Sequence, residues 1–78
     1  MSAIRLSTCV KRLREKSGLT TAEFGKALGV SHTAVVEWEG GKGIGSFNRM
    51  RLLAYAEANE ADAEVLAALK AAQPEMRP

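Results

Sequence analysis

Side chains that could form covalent bonds or bind metals are few in this sequence, and they are not grouped. His32 and Cys9 are the single histidine and the single cysteine, so neither an internal disulfide nor a structural zinc site can be assembled. No nucleophile–base set and no paired acid and base is found. The glycine run at 40–43 contains Lys42 but lacks the spacing of a phosphate-binding P-loop and a strand before it. We therefore expect no enzymatic activity, no metal and no cofactor.

Charge is distributed unevenly along the chain. Residues 1–51 carry nine lysines and arginines against four acids, and residues 52–78 carry two against five. The net charge is therefore +5 in the first part and −3 in the second. This asymmetry favours a protein that binds a polyanion with one side. An ordinary solvated surface is the alternative, and we prefer it for Lys11 and Lys16.

Length and composition indicate one small domain. The chain has 78 residues, of which 46% are hydrophobic and 26% charged, as is typical of a globular protein. Its longest apolar runs have five residues, whereas a membrane-spanning helix needs about 20. No charged-then-apolar stretch opens the given sequence, so secretion is not expected. The expectations are a single domain over residues 1–73, a short flexible tail over 74–78, no membrane contact and a cytoplasmic location.

Five short helices must position the remaining polar residues. Alanine, leucine and charged helix formers dominate the sequence, and both prolines lie near its end. The first helix is predicted over Ser7–Ser17, with Gly18 as the left-handed residue that follows it. Thr20 and Glu23 have the spacing of a capping box, which predicts a second helix over Thr21–Leu28.

Capping residues also delimit the last three helices. Ser31 is expected to cap the third, which ends at Gly40–Gly41, and Ser46 to cap the fourth. Asn59 is expected to close the fourth, and Asp62 to begin a fifth that stops at Gln73–Pro74. The side chains expected to point inward from the fourth helix are Phe47, Met50, Leu53 and Ala54.

The second and third helices, joined by Gly29-Val30-Ser31, predict a helix-turn-helix, in which the latter helix can enter the major groove of DNA. Gly25 lies inside the second helix, where glycine costs about 1 kcal/mol relative to alanine. We expect its missing side chain to let the third helix cross closely. The residues expected to fill the angle between the helices are Val30, Val35 and Trp38. The predicted fold is an all-α compact bundle of five short helices around this motif.

The stretch 18–31, followed by Val35, Trp38-Glu39 and Gly41-Lys42, resembles the lambdoid phage repressor and Cro-like helix-turn-helix family, the xenobiotic-response-element type of regulator. The resemblance covers residues 8–58. It implies a lambda-repressor-like domain that binds double-stranded DNA in a sequence-specific manner, usually as a dimer. It also implies a bacterial or phage-encoded protein, associated with the nucleoid when bound.

The resemblance implies which residues contact bases, position by position. Base contacts are implied for Thr21, which opens the second helix, and for outward positions of the third helix. Those outward positions are His32, Thr33, Val36 and Glu37. An imidazole or hydroxyl can hydrogen-bond a base edge, a valine can pack on a thymine methyl, and a carboxylate can accept from cytosine N4. Glu37 departs from the glutamine, arginine or asparagine common in the family, and phosphates repel a carboxylate.

Phosphate contacts are implied at a second set of positions. Thr20 and Lys42 match the family there, as do Ser46 and Asn48 at the start of the fourth helix. The N–H groups and dipole of a helix N-terminus favour an anion. Gly45 replaces the proline that the family usually has near the end of this loop.

Three further features are assigned to architecture or assembly. Arg14 and Glu39 match positions that form a partly buried ion pair in the family. Cys9 shares a helix face with Leu13, so an inert buried thiol is expected. The fifth helix is rich in alanine, which allows close helix approach, so the C-terminal helices are the candidate homodimer surface.

Three functions fit these observations. The leading hypothesis is a DNA-binding transcriptional regulator, a dimeric repressor of a palindromic operator read by the helix that starts at Ser31. The first alternative is an antitoxin that represses its own operon, because the segments 51–53 and 60–62 are similar to such proteins; a co-purifying toxin would favour it. The second is a protein-interaction module that has lost DNA binding, as Glu37 and the modest net charge would allow.

Overall fold

The structure is a computed structural model that describes residues 4–72. Within that range it contains five helices and no strand, which confirms the predicted all-α bundle. The helices are α1 (Leu6–Ser17), α2 (Thr21–Leu28), α3 (His32–Glu39), α4 (Ser46–Ala58) and α5 (Ala63–Ala71). None of them is long and apolar enough to cross a membrane. The predicted stop at Gln73–Pro74 and the tail over 74–78 lie outside the described residues, as does the predicted domain end at residue 73.

Local side-chain chemistry sets the starts of α2 and α3. The backbone N–H of Glu23 donates to Thr20 Oγ1 over 3.1 Å, and the N–H of Thr20 donates to Glu23 Oε1 over 2.9 Å. This closes the predicted capping box. Ser31 Oγ accepts from the N–H of Ala34 at 3.1 Å, as expected of an N-cap. Gly29 ends α2 with φ 78°, a left-handed conformation that favours glycine.

An apolar core holds the five helices together. Phe24, Val35 and Leu69, from three different helices, have no exposed surface. Each buried side chain of this size contributes about 1.5–3 kcal/mol relative to an exposed one. The Phe24 ring meets the Tyr55 ring edge-on, with centroids 5.2 Å apart. The same core encloses Cys9, as the sequence predicts.

Gly25 lies under the turn of the helix-turn-helix. A Cβ atom at this position would stand 2.9 Å from the carbonyl oxygen of Val30 and 3.1 Å from that of Ser31. The close neighbour is therefore the turn that leads into α3 rather than the body of α3. The N–H of Val30 also donates to the carbonyl of Gly25 over 2.8 Å, which fixes the turn against α2.

The start of α4 differs from the prediction. Gly45 is its N-cap, in an extended conformation, and no side chain caps the helix. Ser46 is already the first helical residue, so its hydroxyl does not lie ahead of the free N–H groups as a cap requires. The prediction that Ser46 caps this helix is wrong. At the other end, Asn59 closes α4 as expected.

The buried face of α4 also differs from the prediction. Leu52 and Ala56 are buried, whereas Phe47 is 66% and Met50 51% exposed. Ala54 is exposed as well, and the other residue predicted to point inward, Leu53, is half-buried against the core. Apolar residues occur all round this helix, so two stripes compete. Packing on α2 and α5 selects the one with Leu52 and Ala56.

The acidic second part of the chain pairs with α1. Arg12 Nη1 lies 2.5 Å from Glu64 Oε1, and Lys16 Nζ lies 3.6 Å from Asp62 Oδ1. Lys16 also donates to the carbonyl of Glu60 over 2.6 Å. Two cations of the basic first part thus pair with acids of the same chain, in contacts that are exposed to solvent. The basic surface that remains is smaller than the sequence asymmetry indicates.

Candidate nucleic-acid interface

The outward edge of α3 carries four of the residues to which the sequence assigns base contacts. They are His32, Thr33, Val36 and Glu37, and all four are exposed. At 3.6 residues per turn, this spacing aligns them along one side of the helix. The structure therefore brings an imidazole, a hydroxyl, an isopropyl group and a carboxylate onto one ridge open to solvent.

The opposite side of α3 is fixed in the core. Val35 is fully buried and Trp38 is 5% exposed. Val35 and Trp38 are three residues apart and share one side of α3. Because that side is buried in the core, the side with the four exposed residues must face solvent. Trp38 therefore has the structural role of a core residue, and the outward ridge is held on a rigid support.

Glu37 and Lys42 form an ion pair beside this ridge. Lys42 Nζ lies 3.3 Å from Glu37 Oε2, and the two side chains are 68% and 45% exposed, respectively. The N–H of Lys42 also donates to the carbonyl of Glu37 over 2.9 Å. An exposed pair contributes about 0–1 kcal/mol, so either partner can exchange it for another contact. The pairing sets a positive charge beside the carboxylate that phosphates would repel.

Besides Lys42 in the loop before α4, the residues assigned to phosphate contacts lie at the starts of α4 and α2. Ser46 is exposed and Asn48 half-buried in the first turn of α4, where no side chain caps the helix. Thr20 is exposed at the start of α2, beside Thr21, which is half-buried and is assigned to a base contact. The Thr20 hydroxyl accepts from the Glu23 N–H and keeps its own proton as a donor. Both segments thus offer hydrogen-bond donors at a helix N-terminus, where the dipole favours an anion.

Arg14 and Glu39 are in direct contact and tie α1 to the end of α3. Arg14 Nε lies 2.6 Å from Glu39 Oε2, and its Nη2 lies 3.1 Å from Oε1. A third N–H donates to the carbonyl of Leu19 over 3.0 Å. The hydrogen bond with Glu39 raises the pKa of Arg14 above its ordinary value. This two-point geometry fixes orientation as well as distance.

Arg51 is a supporting residue for which sequence reasoning assigned no role. Its Nη1 donates to the carbonyls of Leu28 and Gly29, over 3.1 and 3.2 Å, at the end of α2. Its Cζ lies 4.8 Å from the centroid of the Phe47 ring. The contact satisfies terminal carbonyls of α2 and ties α4 to the turn before α3. No sequence pattern marks it, because the acceptors are backbone atoms more than 20 residues away.

Cys9 takes no part in this surface. The thiol is fully buried, and desolvation by burial raises its pKa above the ordinary value. A protonated, enclosed thiol is a poor nucleophile and a poor metal ligand. In residues 4–72, no group of three or more histidine, cysteine or acidic side chains could hold a metal ion.

Comparison with known families agrees with this geometry. A family model described as a helix-turn-helix domain matches residues 5–69, which is most of the chain. The match is consistent with the Cro-like and lambda-repressor-like resemblance seen in the sequence. Neither the curated proteins nor the solved structures give a match.

Proposed function

This chain belongs to the helix-turn-helix domain family, and on that premise we propose that it is a sequence-specific transcriptional repressor that binds operator DNA as a dimer. The helix-turn-helix domain supports a DNA-binding regulator. Sequence specificity, dimerisation and repression by blocking a promoter are what we propose beyond that. Occupying a promoter is sufficient for repression and requires no catalytic group.

The observation that carries the proposal is the outward ridge of α3. His32, Thr33, Val36 and Glu37 are exposed together, and the opposite side of the helix is buried. In a helix-turn-helix, the second helix lies in the major groove with its N-terminal residues at the base edges. Each of these side-chain types has a matching group in that groove.

Binding is proposed to divide between two sets of residues. The α3 ridge and Thr21 contact bases and determine sequence preference. Thr20, Lys42, Ser46 and Asn48 contact phosphates and fix register, which adds affinity for any duplex and makes it depend on salt. In the complex, Lys42 exchanges Glu37 for a phosphate, and Glu37 accepts from cytosine N4. Arg14 and Glu39 stay paired and hold α3 at its angle.

Selection of bound duplexes from a random pool tests this proposal. The purified full chain is expected to enrich an imperfect palindrome with half-sites centred about 10 base pairs apart. The enriched duplex should then bind at least about 1000-fold more tightly than random DNA. Failure to enrich any sequence, with no salt-dependent binding to genomic DNA, would instead favour the protein-interaction module.

Single substitutions separate the two sets of contacts. Thr33→Ala should lower the preference for the selected duplex by about 1–3 kcal/mol while leaving binding to random DNA unchanged. His32→Ala should behave in the same way. Lys42→Ala is the matched comparison: it should weaken both complexes and lower the salt slope by about one. Identical behaviour of all three variants on both DNAs would contradict the assigned roles.

A further inference from the structure

Arg51 joins two segments that are proposed to meet DNA. Its Nη1 donates to the carbonyls of Leu28 and Gly29 over 3.1 and 3.2 Å, where α2 ends and the turn into α3 begins. Its Cζ lies 4.8 Å from the centroid of the Phe47 ring, in the first turn of α4. One half-buried guanidinium therefore contacts both the helix-turn-helix and the helix whose start is proposed to bind phosphates.

We infer that Arg51 is a positioning residue for sequence recognition, which fixes the phosphate-contacting start of α4 relative to the base-reading ridge of α3. The inference rests on the proposed function, because it concerns how the two sets of DNA contacts are held in register. Phosphate contacts set the position and orientation of a protein on the duplex, and base contacts read the sequence from that position. A shift between the two sets would therefore reduce sequence preference more than general affinity.

The loop between α3 and α4 leaves room for such a shift. Four of the six residues 40–45 are glycine, which restricts the backbone less than any other residue. Ile44 is buried and anchors the loop in the core, but Gly45 and Ser46 after it are exposed. No side chain caps the start of α4. The loop by itself therefore fixes little of the position of the first turn of α4.

Helix packing links α3 and α4 through a shared neighbour. In the described part of the chain, α3 packs on α1 and α2, and α4 packs on α2 and α5. The buried residues of α4, Leu52 and Ala56, come after Arg51, so the first turn lies ahead of the part that the core anchors. The hydrogen bonds of Arg51 tie that end of α4 directly to the end of α2, from which α3 follows after a short turn.

The chemistry of the guanidinium suits this position. It is planar and carries several donors, so one face can cover a ring while an edge donates to carbonyls. The last carbonyls of a helix carry partial negative charge, which favours a cation. A Cβ atom at Gly29 would lie 3.1 Å from Arg51 Nη1, so the glycine leaves room for this approach. Phe47, which is 66% exposed, thereby has a role as the support of the guanidinium.

Arg51→Lys tests the inference without changing the charge. Lysine is shorter and has no planar group, so it cannot both cover the ring and reach two carbonyls. The preference for the selected duplex over random DNA is expected to fall about tenfold, which is the worth of one good base contact. The affinity for random DNA and its salt slope should stay unchanged, because attraction to phosphates tolerates a small displacement.

Arg12→Lys is the matched control. Arg12 pairs with Glu64 between α1 and α5, in a contact that is exposed to solvent. The substitution makes the same chemical change away from the proposed DNA surface, so binding to both duplexes should stay the same. Fluorescence anisotropy titrations at several salt concentrations would compare the three chains, at a temperature at which circular dichroism shows each to be folded.

A double-mutant cycle separates positioning from stability. Thr33→Ala is introduced into the wild-type chain and into the Arg51→Lys chain, and the loss of preference is measured in each. If Arg51 positions the α3 ridge, the loss is smaller in the Arg51→Lys chain, because the Thr33 contact is already weakened there. Equal losses in the two chains would contradict the inference.

Residual dipolar couplings of backbone amides test the geometry without DNA. In the wild-type chain, the couplings of residues 46–49 and of α3 are expected to fit one rigid orientation. In Arg51→Lys, those of 46–49 should depart from the orientation of α3, and in Arg12→Lys they should not. Unchanged couplings in Arg51→Lys would overturn the inference.

The DNA titrations can also overturn it. Equal weakening of both complexes in Arg51→Lys would assign Arg51 to the phosphate contacts, and an unchanged preference would assign it to stability alone. Failure of the wild-type chain to select any duplex would refute the proposed function. The dipolar couplings need no DNA, so they would still decide whether Arg51 holds the start of α4 in place.

Discussion

Breaking the contact between Arg14 and Glu39 tests how strongly this ion pair anchors the end of α3 to α1. Glu39→Gln keeps the shape of the side chain and one acceptor but removes the charge. It leaves the Arg14 guanidinium facing a neutral amide in a site where the two side chains are only 18% and 14% exposed. The substitution weakens both hydrogen bonds between Arg14 and residue 39. The hydrogen bond from Arg14 to the carbonyl of Leu19 is left unchanged.

The expected loss of stability follows from the exposure of the pair. Exposed ion pairs contribute about 0–1 kcal/mol, and removing one partner of a buried pair costs about 3–5 kcal/mol. The Arg14–Glu39 pair lies between these limits, so the free energy of unfolding should fall by about 2 kcal/mol. In a domain of this size, such a loss lowers Tm by about 8–16 °C.

A second ion pair provides the matched control. Glu64→Gln removes the charge from the contact with Arg12, in which the side chains are 43% and 52% exposed. This pair also joins two helices, yet water screens it, so the loss should not exceed about 1 kcal/mol. Thermal and urea unfolding followed by circular dichroism would compare the variants. Equal losses, or a larger loss for Glu64→Gln, would refute the conclusion that the Arg14–Glu39 pair holds α3.

Three other predictions concern Gly25, Glu37 and Cys9. Gly25→Ala should destabilise the fold by about 1 kcal/mol, since crowding of the turn outweighs the gain in helix propensity. The control Gly43→Ala should not destabilise it, because the space around Gly43 is open. A higher Tm for Gly25→Ala would contradict the close approach of the turn to α2. Glu37→Gln should change the preferred base at its position from cytosine to adenine in a repeated selection; an unchanged motif would exclude a base contact. Burial raises the pKa of the Cys9 thiol, so a thiol reagent should label it rapidly only after unfolding. The free energy of unfolding should not depend on this thiol below its ordinary pKa, and it should fall as pH rises above that value. Rapid labelling of the folded chain would show that the thiol is accessible.

Helix boundaries set by neighbouring residues could be predicted from the sequence. The capping box of Thr20 and Glu23 and the cap at Ser31 act over three residues, so their geometry follows from local spacing. The spacing of three residues between Val35 and Trp38 likewise indicates which side of α3 faces inward. For these elements, local preference and tertiary packing agree.

Features that depend on distant partners could not be predicted. The buried side of α4 depends on which neighbours pack against it, because its apolar residues surround the helix. Arg51 bonds to backbone carbonyls of α2, which carry no mark in the sequence. The pairing of Arg12 with Glu64 spans 52 residues and reduces a charge asymmetry that looked larger along the chain.

Amide chemical shifts measured during a titration with the selected duplex test the central claim most directly. The ¹⁵N-labelled full chain is followed as the duplex is added. If α3 reads the duplex, the largest changes fall on 31–37 at the start of α3, with smaller ones at 20–21 and 42–48. Changes confined to α1 and α5, or a titration that leaves residues 31–37 unaltered while the duplex binds, would show that α3 does not read DNA.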